Sequence, residues 1–324
     1  MKKLVANGLI TLFIVLIIAT IGQSCGKDDP IVPPPPPPPP TPTDTLSAGW
    51  KKIYVDSSTF LVDIAFPTSQ IGYVCGDRYV GKSIDGGLTW TKINFPDSLI
   101  GHFSFLFFKD ENTGWVTTQN SILRTIDGGA SWKKTLLSNS NDIQFVTSSV
   151  GYVATQTGLY KSIDGGASYQ KLAAAGSVFH SGVYFFDENN GWITRSGSIL
   201  ATQDGGANFN KQTDIGTGDY YNILFIDANN GWTSGAGTSY IWFTKNGGTS
   251  WDKIGNLGTQ NDVHFFNNNE GYISNNSDIF RTANGGTTLT REVHSLKPEI
   301  IETCFTDANH GWATAGAYIF RLSK

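Results

Sequence analysis

The chain runs to 324 residues, with 27 acidic and 23 basic side chains and a net charge of −4. So even a balance argues against general nucleic-acid binding through a basic surface. Three cysteines are too few for a disulfide scaffold, and no Cys or His set has zinc-ligand spacing, so no metal or other cofactor is expected.

Residues 1–24 read as an export signal. Met1-Lys2-Lys3 is basic, and Leu9 to Ile21 is an apolar run too short for a convincing membrane span. Gly22-Gln23-Ser24 then leads into Cys25. Basic start, apolar core, small residues and Cys resemble a bacterial lipoprotein signal peptide, with Gln23 an unusual residue at its place. The resemblance implies cleavage before Cys25 and lipidation of Cys25 itself. Gly26-Lys27-Asp28-Asp29 resembles the Lys-plus-acidic export tag of some surface lipoproteins of Gram-negative bacteria. That implies an outer-membrane lipoprotein anchored to the membrane by lipid, at the cell surface or otherwise on the periplasmic face. A soluble secreted protein with an ordinary signal peptide is the alternative.

Residues 25–45 carry that Cys and a proline-rich stalk. The prolines from Pro33 to Pro40 cannot pair in a sheet and favour polyproline II. At ~3.1 Å per residue, Pro30 to Pro42 lifts the next domain roughly 40 Å off the membrane. A proline-rich partner motif is the rival reading.

Residues 46–324 are periodic. SIDGGLTW at 83–90 recurs as TIDGGASW at 125–132 and SIDGGASY at 162–169, with weaker copies TQDGGANF at 202–209, TKNGGTSW at 244–251 and TANGGTTL at 282–289. Each copy reads as a tight turn between two strands. The Gly pair takes positive φ without a Cβ clash. Asp85, Asp127, Asp164, Asp204, Asn246 and Asn284 accept bonds from the turn's own N–H groups. The pattern resembles the Asp-box of the bacterial neuraminidase repeat, and the recurring Asp reads as structural rather than catalytic or metal-binding.

A second marker is Gly followed by an aromatic: Gly72-Tyr73, Gly114-Trp115, Gly151-Tyr152, Gly191-Trp192, Gly231-Trp232, Gly271-Tyr272 and Gly311-Trp312, spaced by 42, 37, 40, 40, 40 and 40 residues. Six residues before each Gly stands a Phe, and two before that an apolar residue in six of the seven repeats, which is strand periodicity with one apolar face. Each repeat thus reads as four strands, A carrying the Phe, B opening on Gly-aromatic, C leading into the box and D leaving it. A four-stranded repeat of ~40 residues buries its faces only against neighbours. The fold class is all-β, a seven-bladed β-propeller of four-stranded blades. The seventh repeat stops at Lys324, where its box would begin, while Trp50-Lys51-Lys52-Ile53 looks like a strand D with no blade before it. The N-terminal strand is therefore expected to complete the last blade and close the ring, as a monomeric domain. Closure makes Cys75 and Cys304 neighbours, as a disulfide or as two buried thiols.

Over 50–324 the Gly-aromatic pairs, the Arg or Lys before each box and the boxes resemble the photosystem II stability/assembly factor family. The resemblance implies a seven-bladed, non-catalytic assembly scaffold that binds protein. The lipid anchor and stalk depart from that family. Asp-boxes also occur in sialidases and xyloglucan hydrolases. A sialidase needs three convergent Arg, but Arg124, Arg281 and Arg321 share one repeat position with Lys82 and Lys161, which reads as solvated strand positions spread round the ring, with a rim binding acidic partners as the alternative.

Boxes and A–B turns share one face, and the D–A and B–C loops form the other, where recognition usually sits. Near the start of strand A stand Asp63, Asp142, Asp262 and Glu302, which would ring one mouth of the channel. Their other reading is backbone bonding at the beginning of the strand. Upstream lie Phe60, Phe103, His180 and Tyr220, with Arg78 and Arg195 in B–C loops, residue types common among binding anchors. The expected function is an envelope-anchored, non-enzymatic propeller recognising a protein or glycan through its loop face. An Asp-box-type carbohydrate-active hydrolase is the alternative, and would need two carboxylates facing across a cleft.

Overall fold

A computed structural model describes residues 44–96, 99, 101–195, 197–214, 219–236, 240–254, 260–295 and 297–324. The signal peptide, Cys25 and the stretch from Pro30 to Pro42 lie outside the described residues. Residues 42–324 form one compact unit.

That unit consists of seven antiparallel sheets, and in blades 1 to 6 strands A to D lie side by side in sequence order. Blade 1 is built from Leu61–Ala65, Gly72–Gly76, Tyr79–Ser83 and Thr91–Lys92. Blades 2 to 6 follow over 103–136, 140–171, 182–214, 219–254 and 260–294, and blade 7 supplies Thr303–Asp307, His310–Ala315 and Tyr318–Ser323. The missing fourth strand of blade 7 is Trp50–Tyr54, paired antiparallel with Tyr318–Ser323 from Trp50↔Leu322 to Tyr54↔Tyr318. This is the closure expected from the sequence. A strand too short to read from sequence, Thr45–Leu46, adds a fifth member to the blade 6 sheet against Thr290–His294.

The sequence markers meet between blades. The Phe of each strand A lies flat on the Tyr or Trp of strand B in the blade before it, giving Phe66–Trp312, Phe108–Tyr73, Phe145–Trp115, Phe185–Tyr152, Phe225–Trp192, Phe265–Trp232 and Phe305–Tyr272. Centroids are 3.4–4.2 Å apart and planes agree within 12°. Each such pair contributes ~0.5–1.5 kcal/mol beyond the area it buries. The invariant spacing of six has a steric cause. A Cβ on the marker glycine would stand 2.2–2.7 Å from its own blade's Phe ring, as at Gly72 against Phe66 and Gly271 against Phe265. Only glycine lets the Phe pass across strand B to reach the blade before it.

Trp50 confirms its place in the same way. The closing aromatics Trp90, Trp132 and Trp251 pack edge-on to Phe66, Phe108 and Phe225 of their own blades. Trp50 packs edge-on to Phe305 of blade 7, and its indole donates to Glu292 Oε2 at 2.7 Å.

Candidate functional site

The boxes are self-satisfied turns. Ser83 Oγ donates to Asp85 Oδ1 at 2.8 Å and accepts from Gly87 N at 2.8 Å. Asp85 also takes Thr89 N at 2.9 Å and Thr89 Oγ1 at 2.6 Å. Asp127, Asp164 and Asp204 repeat the set with Ser131, Ser168 and Asn208. Those bonds favour the ionised form, and the Ser131 and Ser168 hydroxyls hold Asp127 and Asp164 down at about 2. Asn246 and Asn284 keep the geometry because an amide oxygen accepts from Ser250 N and Thr288 N while its nitrogen donates to the hydroxyls. Gly86 and Gly87 hold φ of 71° and 87°. Gly86 N donates to Gln70 O at 2.8 Å, and the other boxes repeat that bond to their own A–B turns, so both turns share a face.

The first box carbonyl serves the blade before it. Gly86 O accepts from Trp312 Nε1 at 2.8 Å and Arg321 Nε at 2.6 Å. Gly128 O accepts from the Tyr73 hydroxyl and Lys82 Nζ, and Gly205 O from the Tyr152 hydroxyl and Lys161 Nζ. Gly165 O and Gly247 O accept from Trp115 and Trp192. The cations lie over the same rings, Lys82 over Tyr73, Arg124 over Trp115 and Lys161 over Tyr152. This corrects the reading of these basic residues as solvated strand positions. Lys82, Lys161 and Arg321 join neighbouring blades, because a C-strand side chain at that register reaches the next box, whereas Arg281 pairs with Glu270 of its own blade.

The candidate channel-mouth acids also span blades. The A strands contact one another in turn round the ring, so they line the channel. Asp63 accepts from Ile64 N at 2.6 Å with one oxygen and from Leu106 N of blade 2 at 2.7 Å with the other. Asp142 does the same with Ile143 N and with Val183 N of blade 4. Asp262 takes Val263 N at 2.7 Å, and also the Asn222 amide and the Thr303 hydroxyl from its two neighbours. An innermost strand has an unpaired edge, and these carboxyls satisfy its N–H groups. Each of the three acids follows a register shift in strand A, at Leu61/Asp63, Ser140/Asp142 and Gln260/Asp262. The bulge turns the side chain toward the next blade. Burial pushes Asp63 up to about 8, helped by Asp142 and Asp262, and pushes Asp142 up to about 6. Burial and the Asp262 and Asp63 charges raise Glu302 well above the usual range, and Asp262 is raised as well. Geometry therefore assigns Asp63, Asp142 and Asp262 the alternative reading, backbone bonding, as ties between blades, while the buried Glu302 carboxyl bonds the Asp262 side chain.

The remaining candidates scatter. Phe103 is 3% exposed and packs in the core with Phe95. It presents no ring to a ligand, because the shift between Phe103 and Leu106 turns it inward. His180 is fully buried, beside Arg195, and burial and that guanidinium push its imidazole down to about 4. Its carbonyl accepts from Asn141 Nδ2 at 2.8 Å. His180 and Arg195 are the two candidates brought together. The backbone of Tyr220 pairs with Gly235 in blade 5. Arg78 is exposed in the first B–C turn with φ of 54°, next to Asp77, which pairs with His102 at 2.8 Å. Phe60 is 49% exposed on the same face. Cys75 and Cys304 are both free thiols, Cys75 buried and Cys304 partly so, and burial pushes Cys304 up to about 12. Among the described residues no group of three or more His, Cys, Asp or Glu is placed to hold a metal ion.

The box face carries what sequence reasoning missed. Ile84, Ile126 and Ile163 are 70%, 61% and 72% exposed at one box position in three successive blades. Between the boxes of blades 1 and 2 lies an open groove of about 450 Å³ lined by Lys82, Ile84, Lys92, Ile93 and Asp127. The signal was present in the sequence as the repeated Ile before the box Asp, where turn chemistry asks for no apolar residue.

Residues 43–141, which span the N-terminal strands, blades 1 and 2 and the first residues of blade 3, match the family model of the photosynthesis system II assembly factor YCF48. No curated protein matches the chain. Among solved structures, YCF48 bound to D1 peptide superposes with a TM-score of 0.71 at 17% identity, covering 85% of this chain and 97% of that one. YCF48 from Cyanidioschyzon merolae gives 0.68 at 21%, covering 85% and 99%. The GH74 xyloglucanase from Xanthomonas campestris gives 0.70 at 13%, covering 84% of this chain and 53% of that one. The chain is similar to the YCF48 family in sequence over its first blades and in fold throughout the propeller.

Proposed function

We propose that the chain is a non-catalytic binding propeller, held at the bacterial envelope by lipid on Cys25, that recognises a protein segment. The observation that carries this is the use made of its acids. Asp63 and Asp142 accept backbone N–H bonds within and between blades, Asp262 bonds Val263 N and side chains of both neighbouring blades, and the box Asp residues are consumed by their own turns. A hydrolase needs two carboxylates free to face a substrate across a cleft. The fold likeness to a YCF48 solved with a D1 peptide, at 17% identity, supports a protein ligand, and the family match over 43–141 adds a likeness in sequence to that same family. The hydrolase reading draws on the likeness to the xyloglucanase, which is one of fold alone at 13% identity.

The test immobilises the chain and passes envelope extract over it, beside a glycan array. Saturable retention of a protein, displaced by soluble chain, is expected. Retention of glycans alone would overturn the reading.

A further inference from the structure

At four blade junctions a cation from strand C fills one slot beside the first box glycine. Lys82 Nζ, Arg124 Nη2, Lys161 Nζ and Arg321 Nη2 lie 2.7–3.2 Å from where a Cβ on Gly128, Gly165, Gly205 and Gly86 would stand. The walls of the slot are the carbonyl of that glycine, a carbonyl of the A–B turn beside it, and the strand B ring paired across from the cation. The junction of blades 4 and 5 keeps the walls and lacks the cation. Ala201 stands across from Trp192, at the register where Lys161 faces Tyr152. Trp192 Nε1 donates to Gly247 O at 3.0 Å. Among the described residues only Ala228 O comes within 4 Å of the point where a Cβ on Gly247 would stand. Solvent reaches this slot. Gly86, Gly128, Gly165 and Gly205 are buried, whereas Gly247 and Ala201 are part-exposed, and so is Gly285, where Phe243 replaces the cation. Asp227 places a carboxylate next to Ala228, its oxygen held by Asn229 N and Asn230 N. Lys245 of the same box lies over the Phe243 ring, 5.4 Å from its centroid.

We propose that the slot between Trp192, Ala201 and Gly247 takes a lysine or arginine side chain of a protein partner. The stem passes over Ala201, where the methyl group leaves it room, and the cationic head meets the Trp192 ring and the second lone pair of Gly247 O. Gly86 O holds an indole and a guanidinium together in this way, accepting from Trp312 Nε1 at 2.8 Å and Arg321 Nε at 2.6 Å. The ring quadrupole attracts the cation, and the carbonyl adds a charge-assisted hydrogen bond. The partner's side chain thus repeats, from outside, the tie that Lys82, Lys161 and Arg321 make within the chain. The inference rests on the protein-binding reading and gives it a place and a chemistry.

The experiment follows the indole N–H signals of the full-length, isotope-labelled chain in detergent by NMR, with the Trp192 signal assigned through Trp192→Phe. The probes are acetyl-Gly-Arg-Gly-amide and its Lys, citrulline and Leu versions, citrulline being the uncharged counterpart of Arg. The Arg and Lys tripeptides are expected to move the Trp192 signal saturably, with Kd on the order of millimolar, and the uncharged versions to bind weaker by roughly tenfold or more. High salt should weaken the effect. Ala201→Lys supplies the cation from within, so its melting temperature should stay at or above the parent value while tripeptide binding falls roughly tenfold or more. Arg78→Ala on the opposite face should leave binding unchanged. A Trp192 signal that does not move, equal binding of the citrulline version, or undiminished binding by Ala201→Lys would overturn the site. Unfolding of Ala201→Lys would overturn it too, since the slot would then not fit a cation. A Trp192 shift that grows with the chain's own concentration, without peptide, would give the slot to a second copy and overturn its assignment to a partner. An extract protein captured equally by the parent and Ala201→Lys would overturn this site and leave the binding-propeller reading standing.

Discussion

The Phe66 ring lies flat on the Trp312 indole, 3.5 Å between centroids and 4° between planes, and joins the first blade to the last. Trp312 Nε1 continues the junction to Gly86 O at 2.8 Å. Six other blade junctions have the same stack, so the ring closes by the contact that builds it. Phe66→Ala removes a buried aromatic at the seam and should cost ~3–5 kcal/mol. Urea unfolding measures it, and a loss under about 1 kcal/mol would mean the seam contributes little.

The indole bonds allow a controlled comparison. Trp115 Nε1 donates to Gly165 O at 2.9 Å, whereas buried Trp232 Nε1 has no partner. Both residues stack on a Phe. Trp115→Phe strands a carbonyl, while Trp232→Phe removes an unsatisfied donor. Trp115→Phe should therefore be the more destabilising, by ~1 kcal/mol or more. Equal costs in paired denaturant melts would show that the box carbonyls do not hold the blades.

Within a box, Thr125 Oγ1 accepts from the buried Gly129 N at 2.9 Å and donates to Asp127 Oδ1 at 2.8 Å. Thr125→Val keeps the shape and orphans that N–H. A loss of ~1–3 kcal/mol is expected. A stability-neutral Thr125→Val would remove the box from the structural account.

Stability should depend on pH with two signs. Asp127 and Asp164 sit near 2 in the fold, below the ordinary carboxylate value, so their contribution is present above ~4 and is lost as pH falls toward 2. Asp63 and Asp142 sit near 8 and 6. There the folded state holds protons that the unfolded chain releases at ~4, so stability declines as pH rises from ~4 to ~8. Melting temperature should peak in mild acid and fall toward pH 8, and Asp63→Asn should flatten the alkaline decline. A melting temperature that rises across that range would show these carboxyls to be ionised in the fold.

Anchoring is tested through Cys25. With lipid on that residue, Cys25→Ala should shift the chain from the membrane fraction to the soluble one, or leave unprocessed precursor. Normal processing with unchanged membrane association would remove the anchor.

Blade number and closure were legible because they rest on local sterics. The six-residue step from Phe to Gly is the width of a Phe passing over strand B, and Trp50 carries its blade's pattern without the blade. The acids, the basic C-strand residues and Phe103 were less legible, for a shared reason. Asp63 bonds Leu106 and Lys82 bonds Gly128 one blade away, and the strand-A bulge that turns the acids and Phe103 leaves no mark in a period-two reading. The exposed isoleucines were visible but stood inside a motif whose polar members account for its conservation of form.

The proposed role of this propeller is to bind a partner and do no chemistry on it. The most direct measurement is a calorimetric titration of the captured ligand into the full-length chain, with the ligand's mass determined before and after. A saturable isotherm with ligand recovered at unchanged mass is expected, while ligand recovered cleaved, protein or glycan, would contradict the account.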